Sequence, residues 1–375
     1  MTDAGSLRER FAARLRAEGA ITREDVASAF ATVPREAFLT HGFHDGDGGF
    51  LRPGDPRFVE GAYRNDALVT KLADGIPVSS SSQPSLMAAM IEDLDIGRGS
   101  RVLEIGAGTG YNAALMAAIG ADVTTVDAQP DVAGRAAAAL ATTGAPHARV
   151  VTGDGYLGVP AGAPYDRVIV TVGISGLSPR WLEQLVPGGF VLAPVRHAGH
   201  HPVMRVRPGD PVTAAAVCGA GFMAASGPLS ARYPWAHPEP WRPATEPATA
   251  LTVPARWKPA LGDTRYVDLW FAIGVWDRRA TFGSFAHNDG VLRHADGVSG
   301  ATIARDGAIR AAGPHAAALV ADATALLDRW TVEGAPELSS WRATMTLAGD
   351  PEQPILVPET WGLETDPRTG SSAVT

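Results

Sequence analysis

The chain has 375 residues, a formal net charge of −8, 45% hydrophobic and 19% charged residues, and one cysteine. Its composition is that of an ordinary soluble globular enzyme, and its acidic balance, with no Lys- or Arg-rich stretch, excludes a basic field for nucleic acid. It has no apolar run of about 18 residues to span a membrane, no apolar signal core between Met1 and Arg16, and in the lone Cys218 neither an internal disulfide nor a cysteine-based metal site; a cytoplasmic location is expected, with no nucleic acid and no membrane as partner.

Leu7, Phe11 and Leu15 recur every four residues and predict a helix over Leu7 to Glu18, ended by Gly19. A second helix is expected with Thr22 as N-cap, with Val26, Ala29, Phe30 and Val33 facing inward and with Pro34 closing it. Residues 41 to 66 read as loop. Within them His44-Asp45-Gly46-Asp47-Gly48-Gly49 has the Asp/Gly character of a calcium loop but lacks the rest of the twelve-residue pattern, so a solvated loop is expected.

From Arg101 onward strands and helices alternate. Arg101 to Ile105, Asp122 to Val126, Arg149 to Thr152, Arg167 to Thr171 and Phe190 to Pro194 read as strands; Tyr111 to Ile119, Val132 to Ala141 and Ser178 to Leu185 read as helices. That order predicts an α/β fold: a Rossmann-like, doubly wound parallel sheet preceded by N-terminal helices. Near residue 230 the composition changes. Eight of the nine tryptophans follow it, and residues 233 to 259 hold seven prolines. We therefore expect one domain over residues 1–230 and a C-terminal extension over 231–375, a proline-rich linker followed by a smaller α+β domain. In it Tyr266 to Trp276 reads as a strand, Ala301 to Ala304 and Ala308 to Ala311 as a hairpin around Arg305-Asp306-Gly307, Leu319 to Trp330 as a helix and Trp341 to Leu347 as a strand; the last ten residues are polar and expected to be disordered.

The informative motif is Val102-Leu103-Glu104-Ile105-Gly106-Ala107-Gly108-Thr109-Gly110, which follows a buried strand and opens a helix. Glycines there let the backbone turn tightly and bring its amides close to a ligand. Asp127 ends the next strand, where a carboxylate accepts hydrogen bonds from both hydroxyls of a ribose. A dinucleotide site would read Gly-x-Gly-x-x-Gly, and here the spacing is Gly-x-Gly-x-Gly with Glu104 two positions earlier. Glu104 would repel a pyrophosphate and would face the ammonium group of S-adenosyl-L-methionine. Gly153-Asp154-Gly155 follows the third strand, where Asp154 is placed to accept from an adenine amino group, with Gly155 beside it. The cofactor contacts expected are thus Glu104, Gly106, Gly108, Gly110, Asp127, Asp154 and Gly155, and the product is S-adenosyl-L-homocysteine.

Upstream lies Ser79-Ser80-Ser81-Ser82-Gln83-Pro84, leading into a helix over Ser85 to Leu94. A serine run at a helix start offers hydroxyls and free amides to a carboxylate, though four serines also suit a flexible loop or an N-cap. The order of these pieces resembles the protein-L-isoaspartate (D-aspartate) O-methyltransferase family. The matching stretches are Val33-Pro34-Arg35-Glu36-Ala37-Phe38, Ala62 to Leu68, Ser82-Gln83-Pro84, Val102 to Ala114, Gly153-Asp154-Gly155, Tyr165 to Thr171 and Gln184 to Gly189. The resemblance implies a carboxyl methyltransferase acting on a peptide or protein that carries an Asp or isoaspartate acceptor. It makes Ser82 the active-site serine, with Ser81 and Gln83 beside it on the substrate side. Two departures stand out. The family usually has Thr-Ile-Ser where this chain has Ser80-Ser81-Ser82, and the segment Val69 to Pro77 is longer than usual. The extension over 231–375, whose α+β domain is expected to recognise the substrate, resembles that of members that tailor ribosomally made, constrained peptides, whose aspartyl ester can collapse to an aspartimide. General isoaspartate repair and a non-catalytic scaffold are the alternatives. Two further features carry no site in this reading: His197-Ala198-Gly199-His200-His201 is expected to be a polar loop, since no carboxylate spacing supports a metal, and Cys218 a small packed residue.

Overall fold

The structure, a computed structural model, describes residues 4–46, 49–241, 251–283 and 289–364. Helix α1 (Ala4–Ala17) buries Phe11, Ala12 and Leu15, and α2 (Glu24–Thr32) buries Val26, Ala27, Ala29 and Phe30. Thr22 is not the N-cap of α2; Arg23 holds that position. The distant Glu92 carboxylate accepts from the amides of Thr22 and Arg23 at 2.9 and 2.8 Å and from the Thr22 hydroxyl. The Thr22 hydroxyl is engaged there as a donor rather than as an acceptor for the first amides of α2.

The region expected to be loop, residues 41 to 66, contributes two short strands and a helix to a small antiparallel sheet completed by the residues after it. Strands β1 (Phe43–His44), β2 (Phe50–Leu51), β3 (Leu68–Ala73) and β4 (Ile76–Ser81) lie in the order β2-β1-β3-β4, with the short helix α3 (Phe58–Ala62) between β2 and β3. Strands of two residues show no periodicity to read. In the calcium-like stretch, the Asp45 carboxylate accepts from the Gly49 amide at 2.8 Å, while Asp47 and Gly48 lie outside the described residues. Ser79 to Ser81 form a strand rather than a loop or N-cap, with Ser81 and Ser80 paired to Leu68 and Val69 across the β3–β4 hairpin, and Ser82 lies just beyond its end. Helix α4 (Pro84–Leu94) follows directly.

The main sheet is formed by β5 (Arg101–Ile105), β6 (Asp122–Asp127), β7 (Ala148–Thr152), β8 (Tyr165–Val170), β9 (Leu185–Pro194), β10 (Val203–Arg207) and β11 (Thr213–Cys218), interleaved with α5 (Tyr111–Ile119), α6 (Pro130–Thr143) and α7 (Pro179–Glu183). β7, β6, β5, β8 and β9 are parallel neighbours in that order. The chain reverses direction across the sheet between β5 and β8, and at such a switch point open α/β sheets bind ligands.

Beyond residue 230 come β12 (Leu251–Val253), α8 (Asp263–Trp276), β13 (Ala280–Gly283), β14 (Asp289–Arg293), β15 (Gly300–Ile303), β16 (Ile309–Ala312), α9 (Ala316–Val332), β17 (Trp341–Asp350) and β18 (Gln353–Leu363). The expected hairpin is β15–β16, in register from Gly300↔Ala312 to Ile303↔Ile309. The segment read as a strand over Tyr266 to Trp276 is helix α8. It buries the unbroken run from Leu269 to Gly274, so neither period shows in its sequence, and its 14 residues fit a buried helix rather than a strand. β12 to β16 make a separate five-stranded sheet, whereas β17 and β18 rejoin the main one, which runs β18-β17-β11-β10-β9-β8-β5-β6-β7. The fold is the Rossmann-like sheet with N-terminal helices and an additional C-terminal sheet. No described helix is long and apolar enough to cross a membrane.

Most of the late tryptophans serve this packing. Trp270 is 2% exposed and donates to the Ala198 carbonyl at 2.9 Å; Trp257 packs edge-on against Trp330, and Trp276 against Trp341.

Candidate active site

The C-terminal ends of β5, β6 and β7 and the β3–β4 hairpin enclose a cavity of about 410 Å³. Gly106 turns the chain at φ +100, and a Cβ there would lie 2.9 Å from the Thr171 hydroxyl. Gly108 has φ +53, and a Cβ would lie 3.1 Å from the Ser80 carbonyl, so the loop and the serine strand meet backbone to backbone.

Glu104, Asp127 and Asp154 all line this cavity. Asp127 is fixed by two amides: Gly108 donates to Oδ2 at 3.1 Å and Gln129 to Oδ1 at 3.0 Å. Asp154 caps a short turn, its Oδ1 accepting from the Tyr156 amide at 2.9 Å. Glu104 is wholly buried; its Oε1 accepts from Asn112 at 2.7 Å, while Oε2 has no partner. Burial pushes the Glu104 carboxyl up to about 7. A lone buried carboxylate oxygen on a cavity wall suits a cation, and the ammonium of adenosylmethionine meets that requirement. Gly155 also lines the cavity, and its carbonyl accepts from the Trp181 indole at 2.8 Å. Gly110 does not reach the wall: it opens α5, where a Cβ would lie 3.2 Å from Ala136, so it is a packing glycine.

Ser79 to Ser82 line the opposite wall. Ser81 is buried and its hydroxyl accepts from Arg35 Nε at 3.4 Å, while Ser82 is half-buried and its carbonyl accepts from Arg35 Nη2 at 3.0 Å. Gln83 is exposed at the N-cap position of α4 and stands apart from the cavity wall. Arg35 belongs to the matching stretch Val33 to Phe38, where the sequence alone assigns it no role. Its guanidinium is completely buried and also donates to the carbonyls of Ala62, Arg64 and Asp66. That burial pulls it down to about 10. Lys71, Gln129, Thr171 and the segment Met223 to Ser226 were also missed. They come from elements far apart in the chain, and only Thr171 falls within a matching stretch, Tyr165 to Thr171.

The His197–His201 stretch is not a polar loop. His197 is 3% exposed, donates from Nε2 to the Phe271 carbonyl at 2.9 Å and packs against His237, Phe271 and Trp361. Burial lowers His197, His200 and His201 to about 4. Among the described residues, the groups of metal-ligating type that do approach one another are His294, Asp296 and His315, with ligand atoms within 4.8 Å; the Asp296 carboxylate already accepts from Val298 and Ser299. Cys218 is partly buried, and burial raises its thiol to about 12, which makes it inert.

Residues 54–220 match the family described as protein-L-isoaspartate(D-aspartate) O-methyltransferase (PCMT). A protein-L-isoaspartate O-methyltransferase 1 of Rhodopseudomonas palustris (strain HaA2) is 38% identical over 194 residues, 52% of this chain and 71% of that protein. A protein-L-isoaspartate O-methyltransferase of Thermotoga maritima is 37% identical over 175 residues, 46% of this chain; the match spans 50% of that relative's length. A solved structure titled protein-L-isoaspartate O-methyltransferase aligns with 94% of this chain and 100% of its own, at a TM-score of 0.53 and 24% identity. That likeness is one of fold, and it extends past residue 230.

Proposed function

Since the chain belongs to the protein-L-isoaspartate O-methyltransferase family, whose cofactor is S-adenosyl-L-methionine, we propose that it methylates the carboxylate of an aspartate-derived residue in a peptide or protein and releases S-adenosyl-L-homocysteine. The observation that carries this reading is the pairing of two unlike walls: three carboxylates on the sheet edge and a neutral serine strand facing them across one cavity. The cofactor supplies an electrophilic methyl group on a sulfonium. Glu104 would hold its ammonium, Asp127 its ribose and Asp154 its adenine.

The acceptor needs no base, because a side-chain carboxylate is already ionised at pH 7. Catalysis then rests on holding two reactants in near-attack geometry and excluding water, worth about 7–11 kcal/mol. Ser82 hydrogen-bonds and orients the carboxylate. A hydroxyl grips it less tightly than a cation would, which avoids stabilising the ground state. Among the described lining residues the basic side chain is Lys71, and it is already engaged with Gln129 and Asp131.

The acceptor itself is open to two readings. The relatives' names favour an isoaspartyl residue in damaged protein. The resemblance of the extension beyond residue 230 to peptide-tailoring members suggests instead a dedicated aspartate in a constrained, ribosomally made peptide, with the ester collapsing to an aspartimide as the next backbone nitrogen expels methanol. Since the fold likeness reaches past residue 230, the extension does not by itself select between them. Transfer of labelled methyl from adenosylmethionine to a linear isoaspartyl peptide, a linear aspartyl peptide and a cyclic aspartyl peptide decides. Base-labile methyl ester on none of them would overturn the carboxyl-transfer reading.

A further inference from the structure

We propose that Lys71 and Gln129 are positioning residues that clasp the β3–β4 hairpin to the ribose end of the cofactor site, so that cofactor binding sets the acceptor serine in place. This rests on the cofactor assignment above. Lys71 lies on β3, and its Nζ donates to Gln129 Oε1 at 2.9 Å and to Asp131 Oδ1 at 2.7 Å. Gln129 also reaches the other strand of the hairpin, donating from Nε2 to the Val78 carbonyl at 2.9 Å. Its backbone amide donates to Asp127 Oδ1 at 3.0 Å. One residue thus joins the ribose carboxylate to both strands of the hairpin whose far end is Ser82.

Two further observations make the clasp more than a surface contact. The β3–β4 register shifts on both sides of Lys71. Bulges of this kind occur beside active sites, where they re-aim a side chain; this one turns Lys71 toward α6. Little else holds β3 on its outer side, since its pairing with β1 is the single pair His44↔Val69. The hairpin tip stands free, with Leu72 and Ile76 40% and 66% exposed around Asp74-Gly75. Anchored at Ser81 and Ser82 by Arg35 and at Lys71 by Gln129, the hairpin moves as a unit with the cofactor loop. Ligand in the ribose site fixes Asp127, Asp127 fixes Gln129, and Gln129 fixes the strand that leads to Ser82.

The test uses the full-length chain and S-adenosyl-L-homocysteine. Wild-type protein should bind it, and binding should slow amide hydrogen exchange across residues 68–81. In Lys71→Met, which keeps the stem and removes the ammonium, the dissociation rate should rise about tenfold, the order expected for losing hydrogen bonds to a charged group. The exchange protection of residues 68–81 should also vanish, while the melting curve stays that of wild type. Lys71→Arg should restore part of the protection. Gln129→Ala, which breaks both strand contacts but leaves the Lys71–Asp131 pair, should behave like Lys71→Met. Wild-type dissociation rate and protection in both Lys71→Met and Gln129→Ala would overturn the clasp alone. Failure of the wild-type protein to bind the ligand would overturn the cofactor reading and the clasp with it.

Discussion

The guanidinium of Arg35 donates to the carbonyl of Ser82 at 3.0 Å from a position with no solvent exposure. The acceptor-side serine is therefore held through its main chain, and its hydroxyl is not spent on that contact. Arg35→Met would leave the carbonyls of Ala62, Arg64, Asp66 and Ser82 without their donor, at about 1–3 kcal/mol for each one that stays buried and unpaired. We expect a loss of at least about 3 kcal/mol in urea unfolding and a fall in turnover. Arg35→Lys should recover little, because a point charge does not reproduce the planar fork. A wild-type unfolding midpoint in Arg35→Met would show that water or repacking satisfies those groups.

Ser82→Ala should lower kcat and leave S-adenosyl-L-homocysteine affinity nearly unchanged, the mark of a lost positioning contact on the acceptor. Ser81→Ala should act differently. Its hydroxyl is buried against Arg35 Nε, so its removal should show first in stability. If Ser81 or Ser80 proves to be the kinetic residue and Ser82 does not, the serine register is displaced by that many positions.

Asp127→Ala should weaken cofactor binding by about 1.5–3 kcal/mol, the worth of hydrogen bonds to a charged acceptor. Calorimetric titration of a folded variant checks this. Because Asp127 also fixes the amides of Gly108 and Gln129, Asp127→Asn, which keeps one acceptor, should fall between wild type and Ala. Unchanged affinity in Asp127→Ala would mean that the ribose lies elsewhere.

If Glu104 holds the cofactor's ammonium as proposed, binding should depend on pH. Its carboxyl is pushed up to about 7 from an ordinary 4.5 because the charged form is buried. The folded, ligand-free protein then holds a proton between pH 4.5 and 7 that the unfolded chain has released, so stability falls as pH rises through that window. A cationic ligand reverses the preference by favouring the ionised form. Affinity should therefore climb from pH 5.5 to about 7 and then level off, with proton release visible at pH 6 as a buffer-dependent binding enthalpy. Glu104→Gln should abolish that proton release, weaken binding and raise the stability of the ligand-free protein at pH 8. A pH-independent enthalpy would show that Glu104 is ionised before the ligand arrives.

The cofactor half of this site was legible because its logic is local. Strand, glycine turn and helix are contiguous over residues 101 to 119, Asp127 closes one strand that the apolar pattern reveals, and Asp154 follows another. The serine side was legible only as a motif, because the partners that make Ser79–Ser81 a strand, Lys71, Val69 and Leu68, carry no periodic signal of their own. Arg35, Lys71 and Gln129 were invisible as site residues for a deeper reason: their roles are hydrogen bonds to groups dozens of positions away. Helix α8 was misread because a segment buried on nearly every side shows no amphipathic period, and its β-branched and aromatic content then points the wrong way.

The main sheet draws its outer strands from the two ends of a long excursion. β11 pairs with β17 through Thr213↔Thr344, Ala214↔Ala343 and Ala215↔Arg342, and more than a hundred residues emerge from the ribosome between them. During synthesis the nascent methyltransferase half therefore presents β11 as an open edge, with unpaired main-chain groups that can recruit any neighbouring strand. The β17–β18 ribbon closes that edge only after the whole intervening segment has been made. A ribosome that stalls or a message that breaks within the intervening sheet would leave a nascent chain whose glycine loop is complete but whose sheet is still looking for a partner, a species for chaperones and proteases rather than for substrate.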